Sequence, residues 1–256
     1  MKVFFHNDFY QVYTSDPAAE KGRMEAVVRV IEPFSEFVRA EPAFHDDVAA
    51  VHTQKHIEYV QDSRLYPISV LAAGATVQAA ETGLAEPCFA LVRPPGHHAS
   101  ADSSWGFCYF NNMAIAIESL KRRGRIETAY VLDIDLHYGD GTVNIFEDRD
   151  YVTVHNIEAT KRDAYLLEVE REMERCDADI IGVSAGFDNH VEDWGGVLLT
   201  EDYFKTGSMV SDAARRAGSG CFAVLEGGYN HDVLGQNVLA LMKGMAGCSW
   251  QPTTCK

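Results

Sequence analysis

The sequence predicts an α/β fold, a parallel sheet with helices on both faces, in one domain spanning residues 1–256. Three observations predict it. Short β-branched or aromatic runs alternate along the chain with stretches that are apolar at helical spacing. Helices stand between the successive strands rather than hairpin turns, so the strands need crossovers and lie parallel. With 256 residues and 46% hydrophobic content the chain is long enough for one sizeable core and short for two.

In chain order, Val3-Phe-Phe5 is the first short strand. Asp16 to Glu20 can cap a helix that runs through Met24, Val27, Val28 and Ile31. Val48–His52 and His56–Val60 read as two short helices. His52 and His56 stand four apart, but without the Glu of an HExxH arrangement they read as supporting or surface residues. Ser69 to Thr82 is an alanine-rich helix suited to close packing, and Phe89–Val92 is a buried strand leading into the loop Arg93-Pro-Pro-Gly-His-His-Ala99. Asn111 to Arg123 is an amphipathic helix, Thr128–Leu132 a buried strand, Val143–Phe146 a helix and Tyr151–His155 a strand. Then come the charged helix Ala164–Cys176, the strand Ile180–Ser184, the helix Tyr203–Arg216, the strand Phe222–Leu225 and a closing helix Val233–Met245.

The chemistry gathers at the ends of these strands. In Asp133-Ile-Asp-Leu-His137 the extended chain projects Asp133, Asp135 and His137 to one side. Two carboxylates and an imidazole on one face are poor packing material, and a transition metal with oxygen and nitrogen ligands resolves the cost of burying them. The plain alternative is an Asp/Gly-rich turn with a solvated histidine. A calcium loop fails on position, because Tyr138 and Asn144 stand where an EF-hand counted from Asp133 needs Gly and Glu. His97 and His98, Asp188, and Tyr229 each follow a different strand. Ligands of open α/β sheets bind at the carboxyl ends of strands, so four strand ends would deliver these groups to one edge.

Charge and cysteines narrow the class. Against 38 Asp+Glu stand 22 Lys+Arg, a net charge of −16, which argues against a general nucleic-acid binder. An acidic rim would concentrate a cationic substrate, although acidity is also ordinary for solubility. The six cysteines, Cys88, Cys108, Cys176, Cys221, Cys248 and Cys255, form no CxxC pair and read as reduced thiols of a cytoplasmic protein. The N-terminus, Met1-Lys-Val-Phe-Phe-His-Asn-Asp, reads as a strand start rather than a signal peptide. No apolar run approaches the roughly 20 residues that span a bilayer.

Five motifs carry a resemblance: Arg93-Pro-Pro-Gly-His-His98, Gly106-Phe-Cys-Tyr-Phe-Asn111, Asp133-Ile-Asp-Leu-His-Tyr-Gly-Asp-Gly141, Ser184-Ala-Gly-Phe-Asp188 and Leu225-Glu-Gly-Gly-Tyr-Asn230. In order and content they resemble the zinc-dependent histone deacetylase superfamily, which includes acetylpolyamine amidohydrolases and acetoin-utilisation proteins. The Glu of the last motif leans toward the class II and bacterial or archaeal branches. The resemblance implies an arginase/deacetylase-like α/β domain that hydrolyses N-acetyl or other N-acyl amines such as acetyl-lysine or acetylpolyamines.

By position, the resemblance implies Asp135, His137 and Asp188 as zinc ligands, leaving room for water and a substrate carbonyl. It makes His98 the general base and then acid, with His97 its electrostatic partner, Asp133 bonded to His97 and Asp140 to His98. Tyr229 would donate its phenol proton to the developing oxyanion, and Gly106 and Phe107 would line the substrate channel. Arg23 matches an arginine near an inner cavity through which the acid product leaves. The family also binds potassium beside the zinc, here through Asp133, Asp135, His137, Thr153 and Val154.

The chain departs from that pattern after His155, where a long Gly- and Pro-rich excursion usually supplies a second aromatic wall. Here Asn156-Ile-Glu-Ala-Thr-Lys-Arg-Asp163 goes almost directly into a helix, and an acidic rim residue before the Ser69 helix has no match. The expectation is therefore a one-sided channel with Phe107 alone, weak substrate binding and broad amine tolerance. Two other functions stay open: a ureohydrolase-like enzyme with two manganese ions, and a non-catalytic module that binds acylated amines. Zinc against iron or cobalt, the acyl amine itself and any homo-oligomer are left open by sequence.

Overall fold

In the computed structural model, which describes residues 1–249, seven parallel strands form one sheet in the order β2-β1-β3-β7-β6-β4-β5. They are β1 (Lys2–Phe5), β2 (Glu36–Arg39), β3 (Cys88–Ala90), β4 (Ala129–Asp133), β5 (Val152–Asn156), β6 (Ile180–Ala185) and β7 (Gly220–Leu225). All six pairings are parallel, as the missing hairpin turns require. Strands β3, β4 and β6 are buried along their whole length, which suits their near-continuous apolar runs.

Helices cover both faces. One layer holds α4 (Tyr66–Gly83) and α5 (Asn112–Arg122), with α2 (His45–Ala49) and α3 (Gln54–Asp62) beside them. The other runs α1 (Arg23–Ile31), α9 (His231–Met245), α8 (Thr200–Ala217) and α7 (Arg162–Arg175), each packed on the next. A short α6 (Asp140–Phe146) follows β4. Small residues in α4 let it lie close to its neighbours and bury on nearly every side.

Two expectations about elements change, and the supporting-or-surface reading of His52 and His56 is narrowed to the first. The strand β2 was not anticipated: its residues are mostly exposed and charged at both ends, as an edge strand tolerates. Asp16 caps a separate 3-10 turn, Pro17–Ala19, by accepting from Ala19 N at 2.9 Å; that turn closes at Glu20, and α1 starts only after its own N-cap Gly22, at φ +93°. His52 and His56 are buried rather than on the surface. His52 Nε2 accepts from Asn111 N at 2.9 Å, and His56 Nε2 meets Tyr109 O at 2.7 Å, so the pair braces the loop ahead of α5.

Five residues separate β5 from α7. Glu168 of α7 holds this short link, accepting from Glu158 N at 3.1 Å and Ala159 N at 3.0 Å while bonding His155 Nε2 at 2.9 Å. Cys88, Cys108, Cys176, Cys221 and Cys248 are free thiols, and Cys255 lies outside the described residues. Among the described residues no helix is long and apolar enough to cross a membrane.

Candidate active site

Strands β3, β7, β6 and β4 are neighbours in the sheet, so the loops after them open onto one place. His97 and His98 follow β3, Tyr229 follows β7, Asp188 follows β6, and Asp133 closes β4. His97, His98, Gly106, Phe107, His137 and Tyr229 line one pocket of about 120 Å³.

The β4 end folds back on itself. Asp133 Oδ1 accepts from Asp135 N at 3.1 Å, and Asp135 Oδ1 accepts from His137 N at 2.9 Å, so each acid orders the next residue but one. Asp188 Oδ1 accepts from Leu136 N at 3.0 Å, and Asp135 Oδ2 from Gly227 N at 2.8 Å. The remaining oxygen of Asp188 is buried with no donor aligned on it, 3.1 Å from His137 Nδ1, and Asp135 Oδ1 lies equally close to that nitrogen. The carboxylates of Asp135 and then Asp188, close beside it, hold the His137 imidazole up to about 10. One donor atom each from Asp135, His137 and Asp188 falls within 4.8 Å of the others.

This set fits a transition metal. Two carboxylates and an imidazole are its ordinary oxygen and nitrogen ligands, and the two 3.1 Å separations from His137 Nδ1 suit atoms that share one ion about 2 Å from each. Gly227 leaves the cradle clear: a Cβ there would stand 2.5 Å from Asp135 Oδ2 and 2.7 Å from Asp188 Oδ2.

The two histidines differ. His97 Nδ1 meets Asp133 Oδ2 at 3.0 Å and its Nε2 lies 3.9 Å from Asp135. Burial would push His97 down, but these carboxylates outweigh it and hold the ring well above the usual histidine range. His98 Nδ1 meets Asp140 Oδ1 at 2.7 Å, yet burial and the neighbouring His97 bring it down to about 4. Glu226 ties the loop carrying both, accepting from Gly96 N at 2.6 Å and His97 N at 3.2 Å; burial raises it to about 7. Burial, then Asp135 and Asp188, push the Tyr229 phenol up, keeping it a proton donor.

Gly106 is required where it stands. Its φ is +59°, and a Cβ would collide with the His98 ring. Phe107 follows at φ +69°, a conformation a non-glycine residue rarely adopts, and its ring meets Tyr229 edge-on at 6.1 Å. Arg23 is fully buried beneath the pocket, donating to Gly228 O at 2.8 Å and Glu226 O at 2.7 Å, 5.6 Å from the Tyr229 ring.

Two expected positions do not join this set. Thr153 pairs with Tyr130 and Val154 with Val131, three and two residues short of Asp133 along β4. Asn156 is the residue opposite Asp133, and its Oδ1 accepts from Gly139 N at 2.7 Å.

Sequence reading also missed three residues. Trp105 stacks on His98 at 3.9 Å and donates its Nε1–H to Asp140 Oδ2 at 2.8 Å. Trp194 stacks on Tyr229 at 4.0 Å and lines the pocket, so the channel is not one-sided. Asp193 fastens that stack: one oxygen accepts from Tyr229 N and Asn230 N, both at 2.8 Å, and the other from Trp194 N at 2.8 Å. The available signal was that two of only three tryptophans border glycines in loops after strand ends.

Fold and site together define an α/β protein with a candidate metal centre and a buried pair of adjacent histidines at the carboxyl ends of its strands. The family profile described as "Histone deacetylase domain" matches residues 18–166 and again 158–245. A probable deacetylase of Methanothermobacter thermautotrophicus is 33% identical over 310 aligned positions, covering 98% of this chain and 93% of the relative. Acetylpolyamine amidohydrolase 2 of Pseudomonas aeruginosa is 31% identical over 201 positions, covering 64% of this chain and 57% of that protein. Among solved structures, the HD domain of HDA15 superposes with a TM-score of 0.82 at 21% identity, over 98% of this chain and 90% of that one. The chain belongs to the histone deacetylase family, in its bacterial and archaeal branch, and its chemistry is that of a deacetylase or amidohydrolase. The profile match breaks between residues 158 and 166, at the short link from β5 to α7.

Proposed function

We propose that this protein removes acetyl groups from amines with a zinc-class metal held by Asp135, His137 and Asp188. The observation that carries the reading is one pocket lined by His137, His98 and Tyr229, with Asp135 and Asp188 gathered on His137 beside it. A zinc ion held there supplies a Lewis acid that polarises the acyl carbonyl and makes water more acidic.

The chain's own residues do the rest. His98, its Nδ1 engaged by Asp140, keeps Nε2 as the proton acceptor for attacking water and then protonates the leaving amine. A base held near 4 is neutral at working pH, and Asp140 with Trp105 keeps it in one tautomer and orientation. His97, kept cationic by Asp133 and Asp135, adds positive charge beside the reacting oxygen. Tyr229 donates to that oxygen as it becomes negative. Potassium, implied by the resemblance, would sit under Asp133, Asp135 and His137 with Asn156, rather than Thr153 and Val154, from β5.

Acetylpolyamine amidohydrolase is the name of one relative, and acetylated amines are the substrate class to test first. Purified protein reconstituted with zinc is to be assayed against acetylpolyamines, acetyl-lysine peptides and small N-acetyl amines, with metal content measured in parallel. Release of acetate that tracks zinc content is the expected result; none from any of them would sink the reading.

A further inference from the structure

A second cavity lies between α1 and the β1–β2 edge of the sheet. It encloses about 410 Å³, against about 120 Å³ beside the candidate metal centre. Three rings line it: Phe5 at the end of β1, Tyr10 in the 3-10 turn Asn7–Tyr10 that follows, and Phe37 of β2. The Tyr10 ring is tilted 66° from that of Phe5 with centroids 5.1 Å apart, and the Phe37 ring 76° with centroids 5.9 Å apart. Two walls thus rise steeply from one floor, an arrangement that surrounds a guest. Phe37 is 36% exposed on an edge strand, where an apolar side chain open to water is a hazard and contributes little to the fold.

The charges around this cavity favour a cation. Glu32, just past the end of α1, lines it, and Glu25 and Glu32 both add to the burial that raises the Tyr10 phenol. The basic side chains of the lining are engaged by acids outside it. Arg39 Nε lies 3.7 Å from Glu41, and His6 Nδ1 accepts from Asp8 N at 3.1 Å, which leaves that ring neutral. A net charge of −16 draws cations to the surface as a whole. Ring faces carry the negative part of the aromatic quadrupole, so three rings and a carboxylate suit a weakly hydrated cation. A primary ammonium brings three N–H donors that need acceptors. A quaternary ammonium brings none, and Val28 and Val38 complete a lining suited to its methyl groups.

We propose that this cavity is an aromatic cage for a quaternary ammonium group, held by Phe5, Tyr10 and Phe37 with Glu32 as its counter-charge. The cage shares no residue with the candidate metal centre, and it stands whether or not the amidohydrolase reading does. It gives the exposed Phe37 a partner that the fold does not.

The test titrates choline and its uncharged isostere 3,3-dimethylbutan-1-ol into zinc-loaded protein and follows the methyl proton resonance of each. Ring currents move that resonance upfield inside a cage, and its course gives the affinity. Both compounds carry the same hydroxyl, so any contact with the metal cancels in their ratio. Wild type is expected to bind choline roughly tenfold more tightly than the isostere. Phe37→Leu and Tyr10→Leu keep apolar volume but remove a ring face, so each should shrink the upfield shift and bring the ratio near unity. Glu32→Gln should weaken choline and leave the isostere unchanged. Far-ultraviolet spectra establish that each variant is folded; should one leucine variant fail to fold, the other decides. Equal affinities in wild type would make the cavity an apolar groove and overturn the proposal. So would a preference for choline that survives the leucine substitutions, which places the cation elsewhere on the acidic surface, or no binding of choline at all.

Discussion

Trp194 and Tyr229 lie face to face, 4.0 Å between ring centroids, and the carboxylate of Asp193 binds the backbone N–H of each. The phenol is thereby fixed by packing on one face and by its own backbone at the other end. A donor so held pays little reorganisation when charge develops on the substrate oxygen, which is where such groups act most strongly.

Tyr229→Phe is accordingly expected to retain zinc and the Trp194 stack while losing roughly 100- to 1,000-fold in kcat. The check is steady-state kinetics with metal analysis on the same sample. Turnover equal to wild type would remove Tyr229 from the chemistry.

Asp188→Ala removes one of three candidate ligands and leaves a cavity beside Asp135. Its fold should persist, because the carboxylate's other oxygen contributes a single bond to Leu136 N. The expected outcome is loss of most bound zinc with an intact far-ultraviolet spectrum. A full equivalent of zinc in this variant would show that the ligand set is wrong.

Trp105→Phe keeps a ring over His98 but deletes the N–H that holds Asp140. A hydrogen bond to a charged group is worth about 1.5–3 kcal/mol net, so kcat should fall by about tenfold or more with zinc unchanged. The sign of the pH effect follows from the same bond. Asp140, relieved of one donor, attracts the His98 proton more strongly, and His98 rises from about 4. The acid limb of kcat/KM should therefore move to higher pH. A limb that stays put would assign Trp105 to packing alone.

Much of this site was legible because its groups break the pattern of their surroundings. Asp133, Asp135 and His137 alternate at the end of an otherwise apolar run, and burial of charge there needs a partner whatever the fold. Their neighbours on three other strand ends followed from parallel topology. What sequence could not show was anything set by loop conformation. Trp194 is brought onto Tyr229 by the turn at Asp193 and Gly196, with φ +66°, and by the bond from Tyr229 N to Asp193, two residues 36 apart in sequence with α8 and β7 between them. The mostly exposed β2 offered only Phe37 and Val38 between charged ends, and the register that sets Thr153 and Val154 opposite Tyr130 and Val131 exists only once β4 and β5 are paired.

The last prediction concerns the base of the loop that carries Trp194. Asp202, in the first turn of α8, is fully buried and accepts from Leu199 N at 2.9 Å while pairing with Arg162 at 2.6 Å and Lys205 at 3.1 Å. Burial alone would raise its pKa, but Arg162, the Leu199 N–H and Lys205 outweigh that cost and leave it lowered. A carboxyl depressed in the folded state stabilises the protein fully above its unfolded value of about 3.9, and that stabilisation is lost as pH falls through the folded value. Asp202→Asn should therefore be less stable than wild type at pH 7, by about 2 kcal/mol or roughly 5 °C in Tm. The two melting curves should draw together as the pH is lowered below about 4, where wild type takes up the proton that the variant never binds. Thermal unfolding of both proteins across pH 3–7 measures the gap directly. A gap that stays constant over that range would mean that the charge on Asp202 contributes nothing to holding the loop.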